Sequence, residues 1–276
     1  MLMKGIVYAA KTENREEFVL KFLENFKDEI ERTNRVFVKV NLVSWEPYPT
    51  TTHPDTLRAV LTFLEDLGVE FTVGDGPAVD AGDSNKIISE HPLSHVCKEF
   101  GIRLLNLYVH EMRKFTGPRG TELTLSIVPL KHDFVISLPV LKVHMVVGLT
   151  AALKNQYGYF SAQDRIDTHT GRKDIHSAIA EVNAIIKTNL FIVDCIRTLI
   201  RAQERRHGGN EAKLGYMIAG TDPVALDSLG FHLLQGVSPS LAHKTLSDIR
   251  YIRIAEEIGL GSSNVHKIIN LTVQSF

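Results

Sequence analysis

The chain has 276 residues, of which 44% are hydrophobic and 23% charged, and this is the composition of an ordinary globular protein. Its 31 basic and 32 acidic residues leave a net charge of −1, which argues against partners held by bulk charge, such as nucleic acid. No apolar run reaches the roughly 18 residues of a membrane span, and the N-terminus lacks the pattern of a signal peptide. Two cysteines cannot build a disulfide framework, so we expect a cytoplasmic protein with neither a membrane nor a nucleic acid as its partner.

Strand and helix patterns alternate along most of the chain. Apolar residues at helical spacing predict a first helix, while Pro54 and Gly68 are typical of the start and end of a second one. The predicted strands are, in chain order, 4–9, 36–40, 69–73, 102–107, 133–137, 189–194, 216–220 and 265–273. The predicted helices are 14–32, 54–67, 92–100, 174–187 and 223–235, with two short helices before the last strand. This alternation predicts an α/β fold with a mostly parallel sheet and helices on both faces.

Two segments interrupt the alternation. Between 108 and 130, two β-rich stretches separated by Gly-Pro-Arg-Gly predict an inserted β-hairpin that extends the edge of the sheet. Residues 160–174 are polar, and we interpret them as a lid loop beside the sheet. No stretch has the composition of a linker, so we expect residues 1–276 to form a single α/β domain.

Charged residues within an apolar stretch make residues 137–158 the most informative part of the chain. The segment SLPVLKVHMVVGLTAALKNQYG follows a predicted strand and contains Lys142, His144 and Lys154. Lys142 and His144 are two residues apart, so in an extended segment they point to the same side. Because the burial of unpartnered charge costs several kcal/mol, we interpret these three residues as catalytic groups on the floor of an anion-binding site. The alternative is that the lysines reach water from a surface loop.

Polar residues also follow other predicted strands, at the carboxyl ends where open parallel sheets bind ligands. Two of them have an equally simple structural interpretation, because Asp222 precedes a proline as a helix N-cap would and Asp194 can cap a loop. The sequence predicts that these side chains meet at one edge of the sheet. The candidate substrate-binding residues are Lys39, Asn41, His53, Asp75, Asn155, Asp194 and Asp222.

Signatures of well-known cofactor sites are missing. GLTAALKN lacks the second glycine of a P-loop, no Gly-x-Gly-x-x-Gly follows the first strand, and two cysteines cannot hold a four-cysteine iron–sulfur cluster. Asp167 and His169 could ligate a metal ion. The polar stretch 201–213, with Arg206 and His207, could close over an anion or remain a solvated connection. The cofactor is therefore left unknown, with a metal ion as one option.

Taken together, five segments resemble a prokaryotic family catalogued as domain of unknown function 362. They are VKVNLV with TTHPDTLRAV, VGDGP, SLPVLKVHMVVGLTAALKNQYG, FIVDCI and IAGTDPVALDSLG, in the family's order within 36–230. Many relatives resemble this core fused to a ferredoxin-type iron–sulfur module, which implies redox chemistry; here the electron source would be a separate redox partner protein. Cys195 stands where the family usually has glycine, and RRHGGNE replaces its usual Gly-rich loop. A looser similarity of architecture is to nickel-dependent lactate racemases, which use histidines and a lysine around a pyridinium cofactor.

Two functions are compatible with these features. The first is an enzyme that acts on a small anionic substrate, a carboxylate or phosphate compound. In it the lysines bind negative charge, Asn41 and Asn155 orient the substrate, and His144 transfers a proton or binds a metal. The alternative is a non-catalytic accessory protein that holds a cofactor or an anion for an iron–sulfur redox partner.

Overall fold

A computed structural model describes residues 4–273 of the chain. The strands are β1 (Ile6–Lys11), β2 (Arg35–Val40), β3 (Glu70–Asp75), β4 (Leu104–Asn106), β5 (Met112–Thr116), β6 (Glu122–Ser126), β7 (Phe134–Leu138), β8 (Lys142–His144), β9 (Gly148–Thr150), β10 (Leu190–Ile200), β11 (Asn210–Gly220) and β12 (Lys267–Asn270). The α-helices are α1 (Arg15–Glu24), α2 (Lys27–Glu31), α3 (Pro54–Asp66), α4 (Ser84–Glu90), α5 (Pro92–Glu99), α6 (Ala152–Asn155), α7 (Ala162–His169), α8 (Ile175–Ile185), α9 (Pro223–Gln235) and α10 (Arg250–Glu257). None of the helices within 4–273 is both long enough and apolar enough to cross a membrane.

Eight of the strands form the main sheet, in the order β12-β1-β11-β10-β7-β2-β3-β4. Every neighbouring pair in it is parallel except the two pairs that β11 makes, with β1 and with β10. The predicted α/β fold with a mostly parallel sheet is therefore confirmed. The alternation of strands and helices had suggested that β11 would also run parallel. It runs antiparallel, because β10 and β11 are both eleven residues long and follow each other through a short connection.

Apolar side chains cover both faces of the sheet. On β2, Val36 and Val38 join a buried cluster that includes Phe18 of α1 and other residues of α1 and α3. Phe37, which lies between them, belongs to a second cluster with residues of α8 and α9, such as Ile179. Successive residues of a strand point to opposite faces, so the two clusters are the two sides of the core. The prediction of helices on both faces is confirmed.

Several predicted elements differ in detail from the structure. The hairpin β5–β6 forms a separate two-stranded sheet and does not extend the edge of the main one. The segment predicted as a lid loop contains helix α7, because Ser161 caps its first turn by accepting a hydrogen bond from the backbone of Asp164. The single helix predicted over 14–32 is broken into α1 and α2 near Asn25, and α4 was not predicted.

The carboxyl ends of three adjacent strands bring polar residues together. Lys39 lies near the end of β2, Asp75 is the last residue of β3, and Ser137 lies near the end of β7. The chain continues from β7 into the β8–β9 hairpin and then into α6, so residues 137–158 remain above this edge of the sheet. This arrangement positions the site described next.

Candidate functional site

A cavity of about 480 Å³ lies at the carboxyl edge of the sheet. This volume is in the range of small-molecule sites in proteins. Its wall is built from the ends of β2 and β3, the β8–β9 hairpin, α6, α7 and the connection between β10 and β11. The charged and polar side chains in the wall are Asn41, Asp75, Asp80, Lys142, His144, Thr150, Lys154, Asn155, Tyr157, Arg165, His169, Thr170, Gln203, Glu204 and His207.

Helix α6 places two of these residues, and a buried carboxylate fixes where it begins. Asp227 of α9 accepts hydrogen bonds from the backbone N–H of Ala152 at 2.7 Å and of Leu153 at 3.4 Å. The hydroxyl of Tyr251 donates to the same carboxylate at 2.9 Å. Burial raises the pKa of Asp227 to about 7 in spite of these hydrogen bonds, which lower it. Asp227 therefore anchors the first turn of α6, the helix that contains Lys154.

Beneath the cavity, Lys39 and Asp75 form a buried ion pair. The ammonium Nζ of Lys39 lies 2.7 Å from Oδ1 of Asp75 and donates to the carbonyl of Val40 at 2.8 Å. Asp75 also accepts from the backbone N–H of Leu42 and of Gly76. Burial lowers the pKa of Lys39, and the contact with Asp75 opposes that shift. Each charge of this pair is satisfied within the protein, so the pair is a structural support of the site.

Gly158 is required by the packing around this ion pair. A Cβ added at position 158 would overlap both the Asp75 carboxylate and the Lys39 ammonium. The end of the segment 137–158 can approach the ion pair this closely only because the residue there has no side chain.

Lys142 and Lys154 differ from Lys39, because neither has a carboxylate within 4 Å among residues 4–273. Lys142 donates to the carbonyl of Thr50. Burial lowers the pKa of Lys142 to about 8, with Glu204, Glu46 and Asp75 opposing the shift. Both side chains are buried, so the alternative in which they reach water from a surface loop does not describe the structure.

Lys154 has still fewer partners. Within residues 4–273 its Nζ makes neither a hydrogen bond nor an ion pair, and it lies 3.6 Å from the centre of the Tyr157 ring. Burial lowers the pKa of Lys154 well below its usual value, and the positive charges of Arg165 and Lys142 lower it further. An amine in this position faces the cavity with its hydrogen-bonding capacity unused.

His144 presents an N–H group to the same cavity. Its Nδ1 accepts from the backbone N–H of Val146 at 3.2 Å and of Val147 at 3.4 Å. The neutral ring therefore carries its hydrogen on Nε2. Burial lowers the pKa of His144 well below 6.5, and the charge of Lys154 adds to the shift. At neutral pH His144 is thus an uncharged donor.

Arg165 and His169 of α7 complete the wall, and neither was a predicted substrate-binding residue. The Arg165 guanidinium donates to the carbonyls of Pro77 and Gly76, while its buried Nε has no partner in the described chain. Nδ1 of His169 lies 2.8 Å from the carbonyl of Arg165 and therefore carries the hydrogen, which leaves Nε2 as an acceptor. The signal that could have identified them is helical spacing, since positions 165 and 169 share one face of a helix.

The acidic residues of the wall already have basic partners. Glu204 lies 2.7 Å from Nε of Arg206 and 3.5 Å from Nδ1 of His207. Asp80 pairs with the same two residues. The connection that carries them is held down by Glu46, which accepts from the backbone N–H of two of its residues, at positions 205 and 206. Negative charge in the wall is therefore compensated, whereas the charge of Lys142 and of Arg165 is not.

The predicted site residues fall into two groups. Six of them, Asn41, Asp75, Lys142, His144, Lys154 and Asn155, line the cavity, and Lys39 lies directly beneath it. The other three lie outside the cavity wall, because their side chains serve other contacts. His53 and Asp222 are N-caps of α3 and α9. Asp194 pairs with Arg15 at 2.7 Å and accepts from the Tyr48 hydroxyl, in a strand that continues six residues beyond it.

The candidate metal ligands of the sequence do not form a cluster. Asp167 contacts Arg172 and Gln163, and His169 contacts Tyr157 and a backbone carbonyl. Within residues 4–273 no three or more His, Cys, Asp or Glu side chains lie close enough to hold one metal ion together.

The fold and the cavity define an α/β protein with a mostly parallel sheet and a cationic site at its carboxyl edge. The chain belongs to the family described as Domain of unknown function (DUF362), whose model matches residues 36–232. The matched range contains all of the predicted site residues, and it confirms the resemblance drawn from the sequence. No curated protein matches the chain.

Two solved structures are similar in architecture. The lactate racemase apoprotein from Thermoanaerobacterium thermosaccharolyticum superposes with a TM-score of 0.49 at 14% sequence identity, over 80% of this chain and 54% of that one. A protein from Thermotoga maritima solved by the Northeast Structural Genomics Consortium has a TM-score of 0.44 at 12% identity, over 80% of this chain and 59% of that one. The present chain thus spans less than two thirds of the length of either, and we draw no functional conclusion from them.

Proposed function

We propose that the protein is an enzyme that binds a small anionic substrate, a carboxylate or phosphate compound, in the cavity at the carboxyl edge of the sheet. The observation that supports this function is the imbalance of charge in the wall. Lys142 and Arg165 are buried without a carboxylate partner, whereas Asp75 and Glu204 are already paired. Because an isolated buried charge is costly, a bound anion would offset the cost of burying these two cations.

The roles of the individual side chains follow from their geometry. Lys142 and Arg165 supply positive charge to the wall. The amide of Asn155 is held by Ser137 at 2.9 Å, which fixes its orientation toward the cavity. His144 offers its Nε2–H to the substrate as a hydrogen-bond donor, which stabilises the negative charge that develops on a substrate oxygen when a proton leaves the neighbouring carbon.

A binding titration tests this function. Isothermal titration of the wild-type chain with sodium lactate and with inorganic phosphate is expected to give one saturable site for at least one of them. In Lys142→Met, affinity is expected to fall roughly tenfold to a hundredfold, since a hydrogen bond to a charged group contributes about 1.5–3 kcal/mol. Lys98→Arg, at an exposed helical position, is the matched control and should bind as the wild type does. If neither lactate nor phosphate showed saturable binding, the proposal would be contradicted.

Turnover is tested separately. With lactate as the ligand, the exchange of its carbon-bound hydrogen for deuterium in heavy water is followed by NMR. The wild type is expected to catalyse exchange, and His144→Gln to bind the anion while losing exchange. Saturable binding without any conversion or exchange by the wild type would favour the second candidate described next.

The second candidate is a non-catalytic protein that holds an anion or cofactor for a redox partner, and the rim of the cavity supports it. Met145 and Val146 line the cavity and are 59% and 58% exposed, and Trp45, in the adjoining loop, is 61% exposed. Exposed apolar side chains grouped at a cavity mouth are typical of surfaces that contact another molecule. This candidate predicts the same anion binding with no turnover.

A further inference from the structure

The amine of Lys154 stands apart from the other buried basic groups of the cavity wall. Lys39 contacts a carboxylate, Lys142 donates to a carbonyl, and Arg165 donates to two carbonyls. Lys154 is only 8% exposed, and its nitrogen has neither a hydrogen bond nor an ion pair within residues 4–273. Anion binding alone does not require such a group, because Lys142 and Arg165 already supply positive charge.

A buried amine next to other cations is a nucleophile. Ammonium groups lose their proton readily where burial and nearby positive charge both disfavour the charged form, and the free amine then carries a reactive lone pair. Lys154 meets both conditions, since it is buried and the charges of Arg165 and Lys142 act on it. Its contact with the face of the Tyr157 ring at 3.6 Å does not fix the protonation state, because an N–H group of a neutral amine also packs on an aromatic face.

We propose that Lys154 forms an imine with the carbonyl group of a small oxo carboxylate, a step that rests on the proposed function of the cavity. The Nζ lone pair forms a bond to the carbonyl carbon, and the carbonyl oxygen takes up a proton to give a carbinolamine. The bond from carbon to that oxygen then breaks, and the oxygen leaves as water with a second proton. The amine loses two hydrogens and the carbonyl compound one oxygen, so the step is a condensation without oxidation or reduction.

The remaining wall residues suit this step. Lys142 and Arg165 hold the carboxylate of the substrate, which places its carbonyl carbon beside Lys154 on the same wall. Nε2–H of His144 is a hydrogen-bond donor for the carbonyl oxygen, and the two protons that this oxygen takes up are the two hydrogens that the amine loses. The imine that results is a cation once protonated, and the face of the Tyr157 ring stabilises a cation at that position. A protonated imine withdraws electrons from the neighbouring carbon and so activates the bonds next to it.

Borohydride trapping tests the proposal. The purified wild-type chain is incubated with pyruvate, or separately with acetoacetate, and sodium borohydride is added to reduce any imine to a stable secondary amine. Intact mass spectrometry is expected to show one adduct, heavier than the chain by the oxo acid less one oxygen atom. Peptide mapping is expected to place it at Lys154. The adduct should disappear in Lys154→Arg, and it should remain in Lys98→Arg, the exposed control.

The outcomes separate this inference from the proposed function. Adduct formation spread over surface lysines, or retained in a folded Lys154→Arg variant, would overturn it. Lactate and phosphate binding without any trapped oxo acid would also overturn it, while leaving the anion-binding cavity intact. Because the site of the adduct is mapped on the wild-type chain, the result does not depend on whether the variant folds well. An excess of lactate during the incubation should prevent the adduct from forming, which would show that trapping occurs in the cavity.

Discussion

Lys39 and Lys154 are both buried at the carboxyl edge of the sheet, and they differ in what surrounds the charge. Lys39 lies 2.7 Å from a carboxylate that three donors satisfy. Lys154 faces a cavity, and its nitrogen lies against the face of an aromatic ring with neither a hydrogen bond nor an ion pair in the described part of the chain. The buried ion pair of Lys39 holds two strands and a loop together, whereas the buried amine of Lys154 keeps hydrogen-bonding capacity that a ligand can use. The comparison therefore distinguishes Lys39, which supports the structure, from Lys154, to which we propose a function.

The largest expected effect is on stability at Lys39. Lys39→Met leaves Asp75 as a buried carboxylate without its cation, and the free energy of unfolding should fall by about 3–5 kcal/mol. Lys154→Met removes an amine that has no hydrogen-bond or ion-pair partner within residues 4–273, so the free energy of unfolding should change by less than about 1 kcal/mol or should rise. Urea denaturation of the two variants measures the difference. Equal losses in both would show that the distinction between the two lysines is wrong.

The second effect concerns Asp227, which anchors the helix that carries Lys154. Its pKa is raised to about 7 in the folded protein, so it stabilises the fold at low pH, and that contribution is lost as the pH rises from about 4 through 7. Asp227→Asn removes this dependence. The stability of the wild type relative to the variant should therefore fall by up to about 1.4 kcal/mol per pH unit across this range. Denaturation midpoints of the two proteins at pH 5, 6 and 7 measure this change. A stability difference that stays the same at all three pH values would contradict the raised pKa of Asp227.

Gly158→Ala probes the packing against the ion pair. The added methyl overlaps Asp75 and Lys39, so we expect a loss of about 1–3 kcal/mol in the free energy of unfolding. Gly236→Ala is the matched control, because that residue has helical dihedral angles and meets only an ordinary contact at 3.6 Å. The control should be neutral or slightly stabilising. A stable Gly158→Ala variant would mean that the segment does not press on the ion pair.

The smallest effect is the pH dependence of anion binding through Lys142. Its pKa of about 8 means that it is charged at pH 7 and mostly neutral at pH 9. Lactate does not titrate in this range, so its affinity should fall about tenfold between pH 7 and pH 9. Calorimetric titrations at both pH values measure the change. In Lys142→Met, the part of this decrease in affinity that is due to Lys142 should vanish. If the affinity of the variant fell as steeply with pH as that of the wild type, another group would be responsible for the decrease.

Much of the fold could be predicted because its signals are local. The spacing of apolar residues and the Pro and Gly at helix ends gave α3 and α9 almost to the residue. The direction of β11 and the place of the β5–β6 hairpin depend on which strands pair, and spacing along the chain does not determine pairing. Helix α7 was missed because its buried residues, Asp164, Arg165 and Thr168, are polar and so give no apolar pattern at helical spacing.

The residues of the candidate site also differ in how well they could be predicted from local sequence. Lys142, His144 and Lys154 could be identified because charge is conspicuous in an apolar stretch. Asp194 and Asp222 were chosen for their position after strands, and their side chains serve contacts with Arg15 and with a helix terminus that only the tertiary structure reveals. Arg165 was overlooked because it lies in a segment where charged residues are common.

The most direct test of the central claim is the number of protons taken up when an anion binds. Calorimetric titration with lactate at pH 8, in two buffers of different ionisation enthalpy, measures this number. An anion beside Lys142 and Lys154 raises the pKa of both amines, so we expect an uptake of about half a proton or more per lactate bound. Binding without proton uptake, or with proton release, would show that the buried lysines of this cavity do not hold the anion.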